Sequence, residues 1–185
     1  MNLVKLFNKI RYFFFKKFIS DCKNLKINKE WLYPVIFTGN GEINIQNSHL
    51  GVWPSPYFYN TSGYIEARYE SAKVIIKQNT FINNNFSIIA EKSSITIEEN
   101  CLIGPNVFIT DSDFHGIEVE NRNNGNYTCF PVHIGKNVFI GENVRILKGV
   151  HIGDGAVIGS SSLVIKNVPA NTVYAGNPAK LIKKL

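Results

Sequence analysis

A polar segment, residues 111–131, holds the residues best suited to catalysis. It interrupts an otherwise regular apolar pattern. His115 stands near its start, directly before a glycine, and an imidazole that titrates near neutral pH suits a general base. Asp113 lies two residues earlier, on the same side of an extended chain, where it can orient the ring and stabilise its protonated form. The alternatives are a solvated loop histidine and an aspartate that only satisfies loop amides.

Cys129, in the same segment, offers a different chemistry. Paired with His115, it would act as a nucleophile and form a covalent intermediate in a two-step, ping-pong reaction. Its sequence context supplies no activating residue, so the covalent route is disfavoured. The three cysteines, Cys22, Cys101 and Cys129, show neither metal-ligand spacing nor a disulfide framework, which is typical of the reducing cytoplasm.

The elements that position this segment are hexapeptide repeats on both sides of it. A branched aliphatic residue recurs every six positions, and in the later repeats a row of small or β-branched residues follows it by four. The third position after each aliphatic is mostly Asn or Gly, the types that accept positive φ at least cost. Three such turns close a coil of eighteen residues, so the pattern predicts a β-solenoid. The aliphatic row is Ile76, Ile82, Ile88, Ile97, Ile103, Ile109, Ile134, Ile140, Ile146, Ile152, Ile158 and Val164.

Two irregularities mark the solenoid. The step from Ile88 to Ile97 is nine residues instead of six, which predicts a bulge at residues 91–93. The larger break, residues 111–131, must leave the coil as an excursion. Excursions on rigid scaffolds are where function usually lies.

Two stretches of the sequence, Ile134-Gly-Lys-Asn-Val-Phe-Ile140-Gly-Glu-Asn-Val and Tyr174-Ala-Gly-Asn-Pro-Ala-Lys180, resemble the hexapeptide acyltransferases. The similarity is greatest to their galactoside, maltose and polysaccharide O-acetyltransferase branch, and it covers about residues 75–180. It implies an all-β solenoid that is a left-handed parallel β-helix, an exception to the usual right-handed crossover. It also implies a homotrimer whose active sites lie between subunits.

The resemblance further implies site residues. His115 would deprotonate the acceptor hydroxyl, which attacks the thioester of acetyl-CoA directly. Asn85 matches an acceptor-binding position, although its place in a turn also explains it. Relatives often have Trp at Phe139 and Ser at Glu142, so these two departures bear on acceptor specificity. The coenzyme is expected to contact Gly141, and a backbone N–H near Gly141 and Glu142 would bind the oxyanion. Ser160 and Ser161 would lie along the pantetheine arm. The phosphates would approach Lys166, Lys180 and Lys183.

Four segments follow from these patterns: an N-terminal amphipathic helix at 1–22, an irregular or early-coil cap region at 23–73, the β-helix at 74–169, and a C-terminal cap at 170–185. Phe-rich apolar residues from Leu3 to Phe18 have helical spacing, with Lys5, Lys9 and Lys16 opposite. The charges forbid a membrane span, and no signal-peptide cleavage site follows. The helix either lies in a membrane interface or packs as a cap on the first coil or a subunit contact. The aromatic run at residues 53–59 either covers the open solenoid end or stacks on sugars.

The sequence thus predicts an acetyl-CoA-dependent sugar O-acetyltransferase of surface polysaccharide biosynthesis, without a metal. Its net charge of +6 suits anionic partners such as coenzyme phosphates or lipid headgroups, and no nucleic-acid motif accompanies it. N-acetylation of a nucleotide-linked amino sugar is an alternative, as is a non-catalytic scaffold. A γ-carbonic-anhydrase-like metal protein is a third, because His115, His133 and His151 are each eighteen residues apart.

Overall fold

The computed structural model describes residues 3–29 and 31–185, and for residues 4 and 5 only the backbone. Helix α1 (Leu3–Phe14) runs into a π-helical turn (Phe15–Ile19), and a 3₁₀ turn (Val119–Asn121) lies within the excursion. The strands are β1 (Asn24–Ile27), β2 (Val35–Thr38), β3 (Glu42–Ile45), β4 (His49–Leu50), β5 (Gly63–Ala67), β6 (Lys73–Ile76), β7 (Phe81–Ile82), β8 (Ser87–Ala90), β9 (Ser94–Ile97), β10 (Leu102–Ile103), β11 (Phe108–Thr110), β12 (Val132–Ile134), β13 (Phe139–Ile140), β14 (Arg145–Ile146), β15 (His151–Ile152), β16 (Val157–Ile158), β17 (Leu163–Val164), β18 (Thr172–Gly176) and β19 (Ala179–Lys184).

The strands form three sheets, each a flat side of one solenoid. Face 1 is β1-β3-β6-β9-β12-β15, face 2 is β4-β7-β10-β13-β16-β18-β19, and face 3 is β2-β5-β8-β11-β14-β17. The chain passes from face 1 to face 2 to face 3 and back to face 1. The turns between successive faces form three corners of the solenoid, here called the 1/2, 2/3 and 3/1 corners. The predicted stacking is confirmed, since Ile134 pairs with Ile152, Ile140 with Ile158 and Ile146 with Val164 in parallel register.

The interior holds both predicted rows, because every residue of the aliphatic row and of the small row is buried. The turns follow the prediction as well: Asn137, Asn143 and Ser161 have φ of 56°, 59° and 58°. Among the turn positions after Ile134, Asn167 is the exception. It has no positive φ, and its side-chain oxygen instead accepts a hydrogen bond from the His151 N–H at 2.8 Å. The coil continues past this corner, since Val168 bridges Ile152 and β18 pairs with β16 in parallel, and the antiparallel strand β19 then closes face 2.

The solenoid extends further toward the N-terminus than residue 74, and residues 23–73 take the early-coil alternative. Parallel pairing already joins β1 to β3 and β2 to β5, so regular coils begin at Asn24 and the segment 23–73 is solenoid. Its hexapeptide pattern is hidden because the strands here are longer and an aromatic loop, residues 51–62, separates β4 from β5. The C-terminal cap is the β18–β19 hairpin.

Helix α1 contacts the solenoid through polar groups and through Tyr12, which packs against the core. The Arg11 guanidinium donates to the carbonyls of Phe58 and Thr61 at 3.1 and 2.7 Å, and Asn8 is buried. Phe13 and Phe18 remain 62% and 67% exposed, so the apolar side does not form the predicted cap on the first coil. No helix within residues 3–29 and 31–185 is long and apolar enough to cross a bilayer.

Candidate active site

The excursion leaves the solenoid at the 3/1 corner, between β11 and β12, and a buried carboxylate closes its neck. Asp111 accepts hydrogen bonds from the N–H groups of Glu91 and Ser93, both at 2.7 Å, and so fixes the predicted bulge. Ser112 and Cys129 form an antiparallel bridge across the neck. Burial raises the pKa of Asp111, although these amide bonds oppose the shift. The bulge and the excursion are therefore one structural unit.

Arg68 and the side chains that contact it, here called the Arg68 cluster, form the floor of the excursion. Arg68 bonds to both oxygens of Glu66 at 2.7 and 3.2 Å and to Glu91 at 3.2 Å. The Phe114 ring lies over its guanidinium, 5.1 Å from ring centroid to carbon, and the Tyr127 hydroxyl donates to Glu91. Phe114 and Tyr127 belong to opposite arms of the excursion, so the cluster holds both arms down. Phe114 immediately precedes His115.

Electrostatics keep this cluster charged at neutral pH. The hydrogen bonds to Glu66 are the largest cause that raises the pKa of Arg68. Burial alone would raise the pKa of Glu91, but hydrogen bonds and the Arg68 charge outweigh it, and the pKa is lowered. The hydrogen bond to Glu91 raises the pKa of the Tyr127 hydroxyl, which stays a donor.

The ring of His115 is exposed and held by a backbone carbonyl. Its Nδ1 lies 2.8 Å from the carbonyl oxygen of Arg122. A carbonyl oxygen can only accept, so Nδ1 carries the proton and the neutral ring presents an unprotonated Nε2. Gly116 makes this approach feasible, because a Cβ there would stand 2.4 Å from the Cβ of Asn121, the residue before Arg122. Gly116 thus leaves room for the chain segment whose carbonyl holds His115.

Asp113 does not take the role predicted for it. Its carboxylate forms an ion pair with Lys148, whose ammonium also contacts Thr128. Since the Arg122 carbonyl holds the ring, Asp113 acts in this structure on the loop and not on His115. The two residues are close in sequence, but φ of 63° at Phe114, between them, turns the chain away from the extended form that the prediction assumed.

Asn85 belongs to a ladder of side-chain amides along the 2/3 corner. Its Nδ2 donates to Asn106 at 3.2 Å, Asn106 donates to Asn143 at 2.9 Å, and Asn143 donates to Ser161 at 3.3 Å. All four residues have positive φ. The turn role that Asn85 shares with its neighbours explains its type, and its acceptor role stays a prediction.

The same corner brings together four predicted coenzyme and acceptor residues. A Cβ on Gly141 would lie 2.7 Å from both the nitrogen and the hydroxyl oxygen of Ser160, and the Ser161 N–H donates to the Glu142 carbonyl at 2.8 Å. The Gly141 N–H donates to Ile158 at 2.8 Å within the coil. The Gly141 N–H is therefore engaged within the coil, and an oxyanion contact from a backbone N–H near Gly141 and Glu142 stays a prediction.

Next to this corner, face 2 carries an apolar cleft of about 310 Å³. Phe139, which is 49% exposed, lines it together with Phe81, Leu102, Asn83 and Val52. The predicted lysines divide between two places: Lys180 and Lys183 lie on β19 of face 2, whereas Lys166 follows β17 toward the 3/1 corner. One chain does not bring Lys166 to the other two.

The metal alternative loses its geometric basis. His133 and His151 point outward from face 1 and their rings stack at 4.9 Å, whereas His115 lies on the excursion. Burial, then the neighbouring His151, lowers the pKa of His133. Within the described part of the chain, no three His, Cys, Asp or Glu side chains group as metal ligands.

Two contacts central to the site were missed from the sequence, the Arg68 cluster and the Arg122 carbonyl. The nine-residue step does mark Glu91, but its partners Arg68 and Tyr127 lie 23 and 36 residues away. A backbone carbonyl leaves no signal in residue type. The glycine that follows His115 was an indirect clue, since it allows a close approach of the chain.

Family models match the repeats. One described as bacterial transferase hexapeptide (six repeats) covers residues 131–166, and one described as hexapeptide repeat of succinyl-transferase covers 73–111 and 94–122. The chain is 38% identical over 133 residues to the galactoside O-acetyltransferase of Escherichia coli (strain K12). The aligned region covers 72% of this chain and 61% of that enzyme.

Two solved structures share the fold. The polySia-specific acetyltransferase NeuO matches with a TM-score of 0.66 and 33% identity over 89% of this chain and 68% of that chain. A galactoside acetyltransferase in complex with coenzyme A matches with a TM-score of 0.59 and 34% identity over 74% and 64%.

The chain belongs to the hexapeptide-repeat acetyltransferases, whose fold is a left-handed parallel β-helix. Its similarity is to the galactoside and polysaccharide O-acetyltransferase branch, as the sequence predicted. The chain spans less than two thirds of the length of the curated relatives it matches.

Proposed function

We propose that this protein transfers the acetyl group of acetyl-CoA to a sugar hydroxyl, with His115 as the general base. The observation that carries the proposal is the 2.8 Å contact from Nδ1 of His115 to the Arg122 carbonyl. It leaves Nε2 as the only ring atom able to take a proton, and the exposed ring presents that atom to a ligand. A positioned base of this kind contributes about 10²–10⁴-fold to a rate.

The chemistry is a single displacement. Nε2 takes the proton as the acceptor oxygen attacks the thioester carbon, and the imidazolium remains bound to the Arg122 carbonyl. When the tetrahedral intermediate collapses, the same Nε2 returns its proton to the departing sulfur, so the enzyme ends unchanged. Cys129 is not required, because no acyl-enzyme forms.

The arrangement of the residues favours a site shared between copies, as in a homotrimer. In a three-sided solenoid the 3/1 corner, with His115, is opposite face 2, which holds the Phe139 cleft. A base and a coenzyme groove on opposite sides of one chain meet only if a neighbour supplies one of them. We therefore place Phe139, Glu142, Ser160 and Ser161 of one subunit against His115 of another. Sedimentation of the active enzyme as a stable monomer would contradict this.

For the acceptor we propose a sugar hydroxyl of a surface polysaccharide or its precursor, handled in the cytoplasm. The named activities of the similar proteins, on galactosides and polysialic acid, support a glycan, and the three free cysteines support a reducing compartment.

The test is acetyl-CoA consumption over a panel of sugars, nucleotide sugars and polysaccharide fragments, followed by mass spectrometry of the product. Acetyl esters labile to mild base are expected. Base-stable amides on amino sugars would support N-acetylation instead, and no turnover with any acceptor would favour a scaffold.

A further inference from the structure

Polar contacts attach helix α1 and the π-helical turn after it to the solenoid at two places. In the last turn of α1, Arg11 donates to two carbonyls of the aromatic loop. Directly after the π-helical turn, the hydroxyl of Ser20 accepts from the Phe37 N–H at 3.0 Å and donates to the Phe15 carbonyl at 2.9 Å. This orientation is the reverse of an ordinary surface helix, which packs its apolar side inward.

The outward side is consequently apolar. Two of its phenylalanine rings pack on a third and not on the solenoid: Phe13 and Phe14 lie 6.3 and 5.5 Å from Phe18 between centroids. Contiguous exposed apolar patches of this kind mark interaction surfaces. The exposed residues of this side, here called the outer face, are Leu3, Leu6, Phe7, Ile10, Phe13, Phe14, Phe18 and Ile19.

Charge indicates what covers the outer face. Residues 1–20 contain four lysines and one arginine and no aspartate or glutamate. Lys9 and Lys17 are exposed, and a cleft of about 380 Å³ is lined by Tyr12, Phe13, Lys16 and Lys17. Aromatic rings beside ammonium groups suit the boundary between acyl chains and anionic headgroups. The predicted contribution of Lys5 lies outside the described side chains.

We propose that the outer face docks on a membrane surface that contains anionic lipid. Its Phe and Leu side chains enter the interface while Lys9 and Lys17 meet the headgroups, and Arg11 links the inserted helix to the solenoid. A second copy of this chain is the weaker candidate, because each copy carries a net charge of +6 and offers the basic helix no complementary charge. The proposal does not depend on acetyl transfer.

The experiment is co-sedimentation of the full chain with vesicles of phosphatidylcholine, with and without roughly one third phosphatidylglycerol. Binding is expected to the anionic vesicles, to be weak without phosphatidylglycerol, and to fall in about 0.5 M NaCl, where the Debye length is short. The double variant Phe13→Glu/Phe18→Glu should lower the partition coefficient by about tenfold or more, since it removes two inserted rings and adds two negative charges.

The matched control is Ile165→Glu/Leu185→Glu, which changes two exposed apolar residues and the same charge away from the helix. It should bind anionic vesicles like wild type. Absence of wild-type binding, or equal binding by Phe13→Glu/Phe18→Glu, would overturn the proposal. If wild type does not bind vesicles and Phe13→Glu/Phe18→Glu changes the oligomeric state, the proposal is also overturned. The outer face would then be a subunit contact. Acetyl transfer measured on the same variants with a soluble acceptor keeps this result separate from the proposed function.

Discussion

Tyr127→Phe tests whether the Arg68 cluster holds the histidine-bearing excursion. The substitution deletes one hydroxyl that donates to Glu91, while the ring keeps its position 4.1 Å from the Lys92 ammonium. A hydrogen bond to a charged group contributes roughly 1.5–3 kcal/mol, and the lower value applies because Tyr127 is only half-buried. About 1.5 kcal/mol corresponds to roughly tenfold more opening of the excursion.

Hydrogen exchange measured by mass spectrometry reports that opening directly. Peptides within residues 112–131 should exchange about tenfold faster in Tyr127→Phe, whereas the coils on either side should not change. Tyr59→Phe is the control, because it removes a hydroxyl that accepts from Trp53 in the other loop. Unchanged exchange of the excursion in Tyr127→Phe, or equal acceleration in both variants, would refute the anchoring argument.

Three further perturbations test the turns, the cluster and the histidine support. Asn143→Val should lower stability by about 1–2 kcal/mol more than Asn143→Gly in thermal melts, since both lose the ladder bonds but only Val is strained at φ of 59°. Because the pKa of Glu91 is lowered in the folded protein, the ionised carboxylate stabilises the fold fully above pH 4.5, its ordinary pKa. That stabilisation is lost as the pH falls through the pKa of the folded state. The difference in Tm between wild type and Glu91→Gln should therefore become smaller on acidification. Gly116→Ala should reduce kcat by about tenfold or more with little change in coenzyme affinity, because the added methyl displaces Asn121 and with it the Arg122 carbonyl; unchanged kcat would contradict that role.

Most of the fold was predictable because a six-residue period specifies both burial and turns. Ile134, Ile140 and Ile146 occupy the buried positions that their spacing predicts, and Asn143 has the positive φ expected of a turn. The first coils were predicted only as one alternative, an early-coil region. Their strands are longer and the loop at 51–62 shifts the phase, so the period is lost although the parallel pairing is not.

The site was predictable in its location but not in its contacts. His115 lies on the excursion as predicted, yet its partner is the Arg122 carbonyl and not Asp113. The positive φ of Phe114 decided that difference, and a non-glycine residue in that conformation has no sequence signature. The orientation of α1 was left open by the sequence, because the amphipathic pattern shows that two sides differ but not which one meets the solenoid.

The central claim is tested most directly by coenzyme binding and turnover measured together on His115→Ala. Calorimetry should give a wild-type affinity for acetyl-CoA, while thiol release should fall by about 10²–10⁴-fold. Two controls accompany it. Arg122→Ala should stay active, because the backbone carbonyl that holds the ring remains, and Cys129→Ala should stay active with no acetylated cysteine trapped when acceptor is withheld. Near-normal turnover by His115→Ala would end the general-base assignment, and an acetyl group on Cys129 would replace it with the ping-pong mechanism.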